Sequence, residues 1–148
     1  MKWYILLTRP KHDRLVTETV RRKGFEALCI YHQVVKIHRK RYTRLQQVPL
    51  FPRYVFVRCY LDEFTHIALF TVRGVVCLLE DAEGQLIEVS EEDMRFLNMV
   101  QDLAVFSRNV KVELIPRSKI SDHGEGSILV LNSLPWIIRI TEIPSLIV

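Results

Sequence analysis

The sequence predicts an α+β sandwich with a largely antiparallel sheet, followed by a small all-β unit. Three observations lead there. Candidate elements run strand, helix, two strands, helix, strand, helix, an order that favours antiparallel pairing over repeated parallel crossovers. Beyond residue 109 the pattern becomes three short strands separated by turn signals. The 148 residues are 49% apolar and 26% charged, enough to build one core and a small appendage.

Residues 2–8, "KWYILLT", are aromatic and aliphatic and read as the first strand. "RPKHDRLVTETVRRKG" reads as a helix. Pro10 suits its first position, and Leu15, Val16, Thr19 and Val20 form the apolar stripe. Arg21, Arg22 and Lys23 complement the C-terminal dipole, and Gly24 stops it. "FEALCIYHQVVKIH" (25–38) reads as a second strand bent near Tyr31 and His32, and residues 39–47 as a hairpin loop or its flanks. "YVFVRCY" (54–60) is the third strand.

Asp62 caps a short helix that ends before Gly74. The continuous apolar run 75–80, "VVCLLE", predicts a buried strand. Residues 81–85 form a turn and 86–89 a short extended piece. Ser90 and Asp93 make an imperfect capping box for a helix with Met94, Leu97, Val100 and Ala104 on its apolar face. "VKVELI", "GSILVL" and "WIIRIT" are the final strands. This division places one domain at 1–103 and a linker with a β unit at 104–148.

Charge is regional. Residues 1–60 hold 14 Lys/Arg against 3 Asp/Glu, residues 61–107 hold 2 against 10, and residues 108–148 hold 5 against 4. One surface is therefore suited to a polyanion and another is not. The basic stretch Lys36, Arg39, Lys40, Arg41 and Arg44 surrounds Tyr42, cations with a ring that can stack on a base. The other reading of such a run is a solvated hairpin tip. Arg21–Lys23 and Arg73–Gly74 carry the same two readings.

Nothing in the sequence nominates a catalyst. The five glycines form no phosphate loop, and the five histidines are dispersed. Cys29, Cys59 and Cys77 lack metal-ligand spacing and read as small buried side chains. No cofactor, metal or catalytic residue is assigned. The N-terminal apolar run is too short for a signal sequence, and a cytoplasmic protein is expected.

The segment "PLFPRYVFVR" (49–58) carries the most information. Period two puts Tyr54, Phe56 and Arg58 on one face of a strand and Val55, Val57 and Cys59 on the other. Phe51 stands just ahead, between Pro49 and Pro52. A strand apolar on both faces is either covered on both sides or presents an apolar docking patch. The pattern leaves both open.

In order and spacing, "WYILLTRPKHDRLVTETVRRKGFEAL", "VPLFPRYVFVR", "TVRGVVCLL" and "IEVSEEDMRFL" resemble the N-terminal domain of NusG-type transcription elongation factors. The proline-aromatic segment is closer to the specialised antiterminator paralogues (RfaH-like proteins and polysaccharide-operon regulators) than to housekeeping NusG. The resemblance implies a four-stranded antiparallel sheet flanked by helices. It further implies a non-enzymatic factor that grips the clamp helices of the largest RNA polymerase subunit in an apolar cavity and suppresses pausing. By position that cavity uses Leu7, Phe51, Tyr54, Phe56, Val75, Met94 and Leu97.

The resemblance further implies that contact with the exposed non-template DNA strand falls to Lys11, Arg22, Lys23 and Arg73; the hairpin cations Arg39, Lys40 and Arg41 are nucleic-acid-binding candidates from their own charge pattern. Two departures stand out. Acidic Glu80 and Asp81 occupy the place of a cavity-edge aromatic ring. The C-terminal stretch keeps the V-x-V opening and Gly124-Glu125-Gly126 of a KOW barrel but is shortened. In the family that barrel couples to the ribosome or a termination factor. The alternative function is RNA or ribosome binding led by the basic hairpin and the KOW-like tail.

Overall fold

A computed structural model describes residues 1–38, 42–106, 110–116, 127–130, 134 and 136–142. Its elements are β1 (Lys2–Thr8), α1 (Asp13–Arg22), β2 (Glu26–Leu28), β3 (Tyr31–His38), β4 (Tyr42–Pro49) and β5 (Tyr54–Cys59). They continue as α2 (Glu63–Phe70), β6 (Val75–Leu78), α3 (Glu91–Phe106), β7 (Val110–Pro116), β8 (Ser127–Val130) and β9 (Trp136–Glu142). The expected α+β class and four-stranded antiparallel sheet are both present. Contacts divide the chain into two units that interleave in sequence: residues 1–29 with 51–94, and residues 30–50 with 95–148. The sequence division near residue 103 follows chain order instead.

The first unit is built on a sheet of order β2-β5-β1-β6, antiparallel throughout. β1 and β5 take the two central places because both sequences are apolar on both faces. Their register sets Leu6 opposite Val55 and Tyr4 opposite Val57, with Ala27 of β2 beside Val57. These residues, with Cys59 and Leu78, bury one face of the sheet against Val16 and Val20 of α1 and Leu69 of α2. Each fully buried aliphatic side chain contributes roughly 1.5–3 kcal/mol to such a core.

The helices follow their caps. α1 starts at Asp13, three residues later than expected from Pro10, because Lys11 turns the chain through a φ of 64°. Its buried stripe is Asp13, Val16, Thr17 and Val20, and Leu15 is exposed. The rotation is fixed by Asp13, whose Oδ2 accepts the backbone N–H of Arg53 at 2.6 Å. Gly24 ends the helix at a φ of 96°, a conformation open to glycine. Asp62 caps α2 by accepting the Thr65 N–H at 2.7 Å. That bond, with one from the Thr65 side chain, holds its carboxyl below the usual carboxylate range. Ser90 Oγ accepts the Asp93 N–H at the start of α3, as the capping box predicts.

Two strand expectations are corrected. Residues 25–38 form two strands in different sheets, β2 and β3, interrupted at Cys29 and Ile30. β6 lies at a sheet edge with Val76 exposed, so its apolar run is not a buried central strand. Of the cysteines, Cys29 and Cys59 are buried and Cys77 half-buried.

In the second unit β3 and β4 pair as a hairpin from Tyr31↔Pro49 to His38↔Tyr42. The Leu50 N–H donates to Ile30 O, extending the pairing past its base, and Tyr31 N–H donates to the Gln101 side chain of α3. Leu97 and Val100 of α3 are buried. β7, β9 and β8 form a three-stranded antiparallel sheet in which Val112 and Ile138 are buried, and so is Leu134 ahead of β9. This is the small all-β unit, a fit to a KOW-like module.

Burial pushes His32 of β3 below its ordinary value of 6.5, with a backbone hydrogen bond to Val112 acting in the opposite sense. A depressed imidazole means that the unfolded chain binds more protons than the folded one. Stability therefore falls as pH drops through 6.5 and levels off below the folded-state value. Denaturant titrations at roughly pH 7.5 and 5.5 should show this loss, and His32→Gln should flatten it.

Candidate functional site

The second face of the first sheet carries the aromatic residues of "PLFPRYVFVR". Ile5 lies opposite Phe56, and Leu28 flanks Phe56 from the other side. Phe51, in the turn before β5, stacks on Tyr54 with ring centroids 6.0 Å apart. It also meets Phe56 edge-on at 5.7 Å. Offset and edge-on pairs of this kind add about 0.5–1.5 kcal/mol beyond area burial. The turn is held by the Tyr54 N–H donating to Phe51 O.

Exposure is graded along this face. Phe51, Phe56 and Ile5 are buried, and Met94, near the start of α3, is buried too without being assigned to this face. Leu7 and Tyr54, which face each other across β1 and β5, are half-exposed. Cys77 continues the same cross-strand row on β6, opposite Leu7. Arg58 closes the opposite end, paired with Glu26 at 3.4 Å and Glu91 at 3.2 Å. Of the two readings the pattern left open, coverage on both sides describes the middle of this strand, and the Leu7–Tyr54–Cys77 row is a half-exposed apolar edge.

The seven apolar positions are therefore not one set. Leu7, Phe51, Tyr54 and Phe56 share the face. Val75 packs instead against the helix-side core with Leu6 and Val72, because the register of β1 and β6 shifts between Leu7 and Thr8. Leu97 belongs to the second unit and is buried. Sequence reasoning missed Ile5 and Cys77, which period two along their own strands would have placed on this face.

The cations separate similarly. Lys11 and Arg73 come together at one corner of the sheet. There the Arg9 N–H donates to Gly74 O, and His12 packs so closely on Gly74 that a Cβ would stand 2.9 Å from the imidazole. Arg53 joins the corner with its Nε donating to Thr8 O and its N–H to Asp13. Both Lys11 and Arg73 are exposed. Arg22 and Lys23 lie at the other end of α1. Lys23 Nζ donates to Ala68 O and Thr71 Oγ1, each at 2.9 Å, so this cation satisfies the C-terminal end of α2. Arg22 Nη2 donates to the Thr19 hydroxyl, at 3.5 Å. Arg39, Lys40 and Arg41 lie outside the described residues.

Burial also pushes the Cys59 thiol up, which keeps it protonated. Among the described residues no group of three His, Cys, Asp or Glu side chains is arranged to hold a metal ion, and no helix is long and apolar enough to cross a membrane.

A family model described as "Transcription termination factor nusG" matches residues 1–98. A solved structure, "Domain interaction in Thermotoga maritima NusG", is 22% identical with a TM-score of 0.46, covering 78% of this chain and 71% of that one. No curated protein matches.

The gradation gives a testable contrast. Phe56→Ala should destabilise the protein by about 3–5 kcal/mol, as for a fully buried aromatic. Tyr54→Ala, at the half-exposed edge, should cost less than half as much. Urea titration of both variants measures the difference.

Proposed function

The chain belongs to the NusG family and is thereby a transcription elongation or termination factor; from that premise we propose that it docks on the clamp helices of the largest RNA polymerase subunit through the aromatic face of β5. Docking there reduces pausing or termination. The observation that carries this reading is the half-exposed edge formed by Leu7 and Tyr54, backed by the buried rings of Phe51 and Phe56. Rigid rings behind an apolar edge are what an apolar partner helix packs against with little loss of side-chain freedom. The buried aromatics act as backing, and Leu7 and Tyr54 meet the partner first. Within the family, the proline-aromatic segment favours a specialised antiterminator role, exercised in the cytoplasm where the polymerase works.

The same reading assigns the corner of Lys11 and Arg73 to the backbone of the exposed non-template DNA strand. Two exposed cations held on a tight backbone corner supply phosphate contacts, and such contacts weaken with added salt. Arg22 stands apart from that corner, and Lys23 is engaged by α2. Arg39, Lys40 and Arg41, which follow β3 in the sequence, are further candidates by their charge.

Retention of the protein on immobilised RNA polymerase tests the proposal. Wild type should bind and stay bound at high salt, because the contact is apolar. Tyr54→Glu, checked by circular dichroism for folding, should weaken binding by tenfold or more. Lys11→Glu with Arg73→Glu should leave polymerase binding in place and abolish salt-sensitive binding to single-stranded DNA. Full polymerase binding by folded Tyr54→Glu would overturn the docking assignment.

A further inference from the structure

The short helix α2 is apolar on its outer side as well as its inner side. Thr65 and Leu69 face the core. Outward stand Phe64 at 80% exposure, Ile67 at 60% and Phe70 at 40%, with Tyr60 at 68% just before the helix. A shallow cleft of about 600 Å³ runs along this side between Leu61 and Phe70. His66 stacks on Phe70 at 4.8 Å and stiffens its rim. A surface helix ordinarily turns polar residues outward. Weighting roughly 150–250 Å² per large side chain by these exposures leaves on the order of 500 Å² of apolar surface in one patch. That is near the upper end for a typical monomer.

The charges around the patch run in one direction. Asp62 and Glu63, both exposed, mark the N-terminal end of α2. The C-terminal end is marked by Lys23, whose Nζ is anchored on Ala68 O and Thr71 Oγ1, and by exposed Arg73 two residues further on. Such a patch, acidic at one end, apolar in the middle and basic at the other, is complementary to itself turned through 180°. A two-fold axis across Ile67 sets the acids of one copy beside the cations of the other and buries the aromatics between them.

We propose that a second copy of this chain covers the outer side of α2, in an antiparallel, isologous dimer. Two patches of this size bury about 1,000 Å², the low end for specific association. The dimer is therefore weak and depends on concentration. The inference does not rest on the docking edge of β1 and β5, which lies on a different face of the unit, although Arg73 is shared with the DNA-contact corner.

Sedimentation velocity on the full chain, from low micromolar to several hundred micromolar protein, tests it. Wild type should show reversible monomer–dimer exchange. Ile67→Glu, at an exposed position and checked by circular dichroism, should weaken the dimer by about tenfold or more, as for a central anchor residue. Glu63→Lys and Arg73→Glu should each weaken it several-fold, and the two together should restore it. A wild type that stays monomeric throughout overturns the proposal. So does a dimer unaffected by Ile67→Glu, or a double charge swap as weak as its single components.

Discussion

The first unit rests on a single constraint: β5 must be apolar on both faces. Its even-numbered and odd-numbered side chains point to opposite sides of the sheet, and neither side is left to water over most of its length. Val55 and Val57 join Tyr4 and Leu6 against the helices, and Phe56 joins Ile5 on the other side. A slip of one residue would exchange the aromatic and aliphatic rows and place Phe56 among side chains shaped for valine. The Tyr54 N–H donating to Phe51 O holds the turn at the start of the strand. The register that buries both faces of β5 also sets Leu7 opposite Tyr54 at its half-exposed edge.

A second constraint acts at the corner where β1 leaves the sheet. Lys11 and Arg53 both adopt positive φ, at 64° and 72°, a costly conformation for non-glycine residues. The surrounding hydrogen bonds hold them there. Asp13 receives the Arg53 amide, Thr8 O receives the Arg53 side chain, and Gly74 O receives the Arg9 amide. The arrangement spends the charge of Arg53 on structure and leaves Lys11 and Arg73 outward. The same logic separates Lys23 from Arg73: one satisfies the Ala68 carbonyl and the Thr71 hydroxyl, the other has no such duty among the described contacts.

The sequence was informative where periodicity and capping decide the outcome. The two-faced character of β5, the Asp62 cap, the Ser90–Asp93 capping contact and the Gly24 stop were all visible as residue patterns. What it did not reveal depends on tertiary partners. The rotation of α1 that exposes Leu15 comes from Asp13 meeting a backbone amide forty positions away. The transfer of Val75 to the helix-side core comes from an irregularity in strand pairing that no local pattern records. β6 reads as a buried strand by its apolar run, and its edge position follows only from sheet order. The burial of Phe51 and Phe56 could not be separated from docking by alternation alone, since both require large apolar side chains.

The central claim is that the Leu7–Tyr54 edge, backed by buried rings, is where polymerase engages. Amide hydrogen exchange measured by mass spectrometry, on the free protein and on its mixture with RNA polymerase, tests this directly. In the free protein, peptides spanning β1 and β5 should be among the slowest to exchange. With polymerase, peptides containing Leu7 and residues 51–54 should gain protection, and the peptide covering the middle of α1 should stay unchanged. Unaltered exchange at Leu7 and 51–54 in a mixture where the two proteins demonstrably bind would contradict the claim.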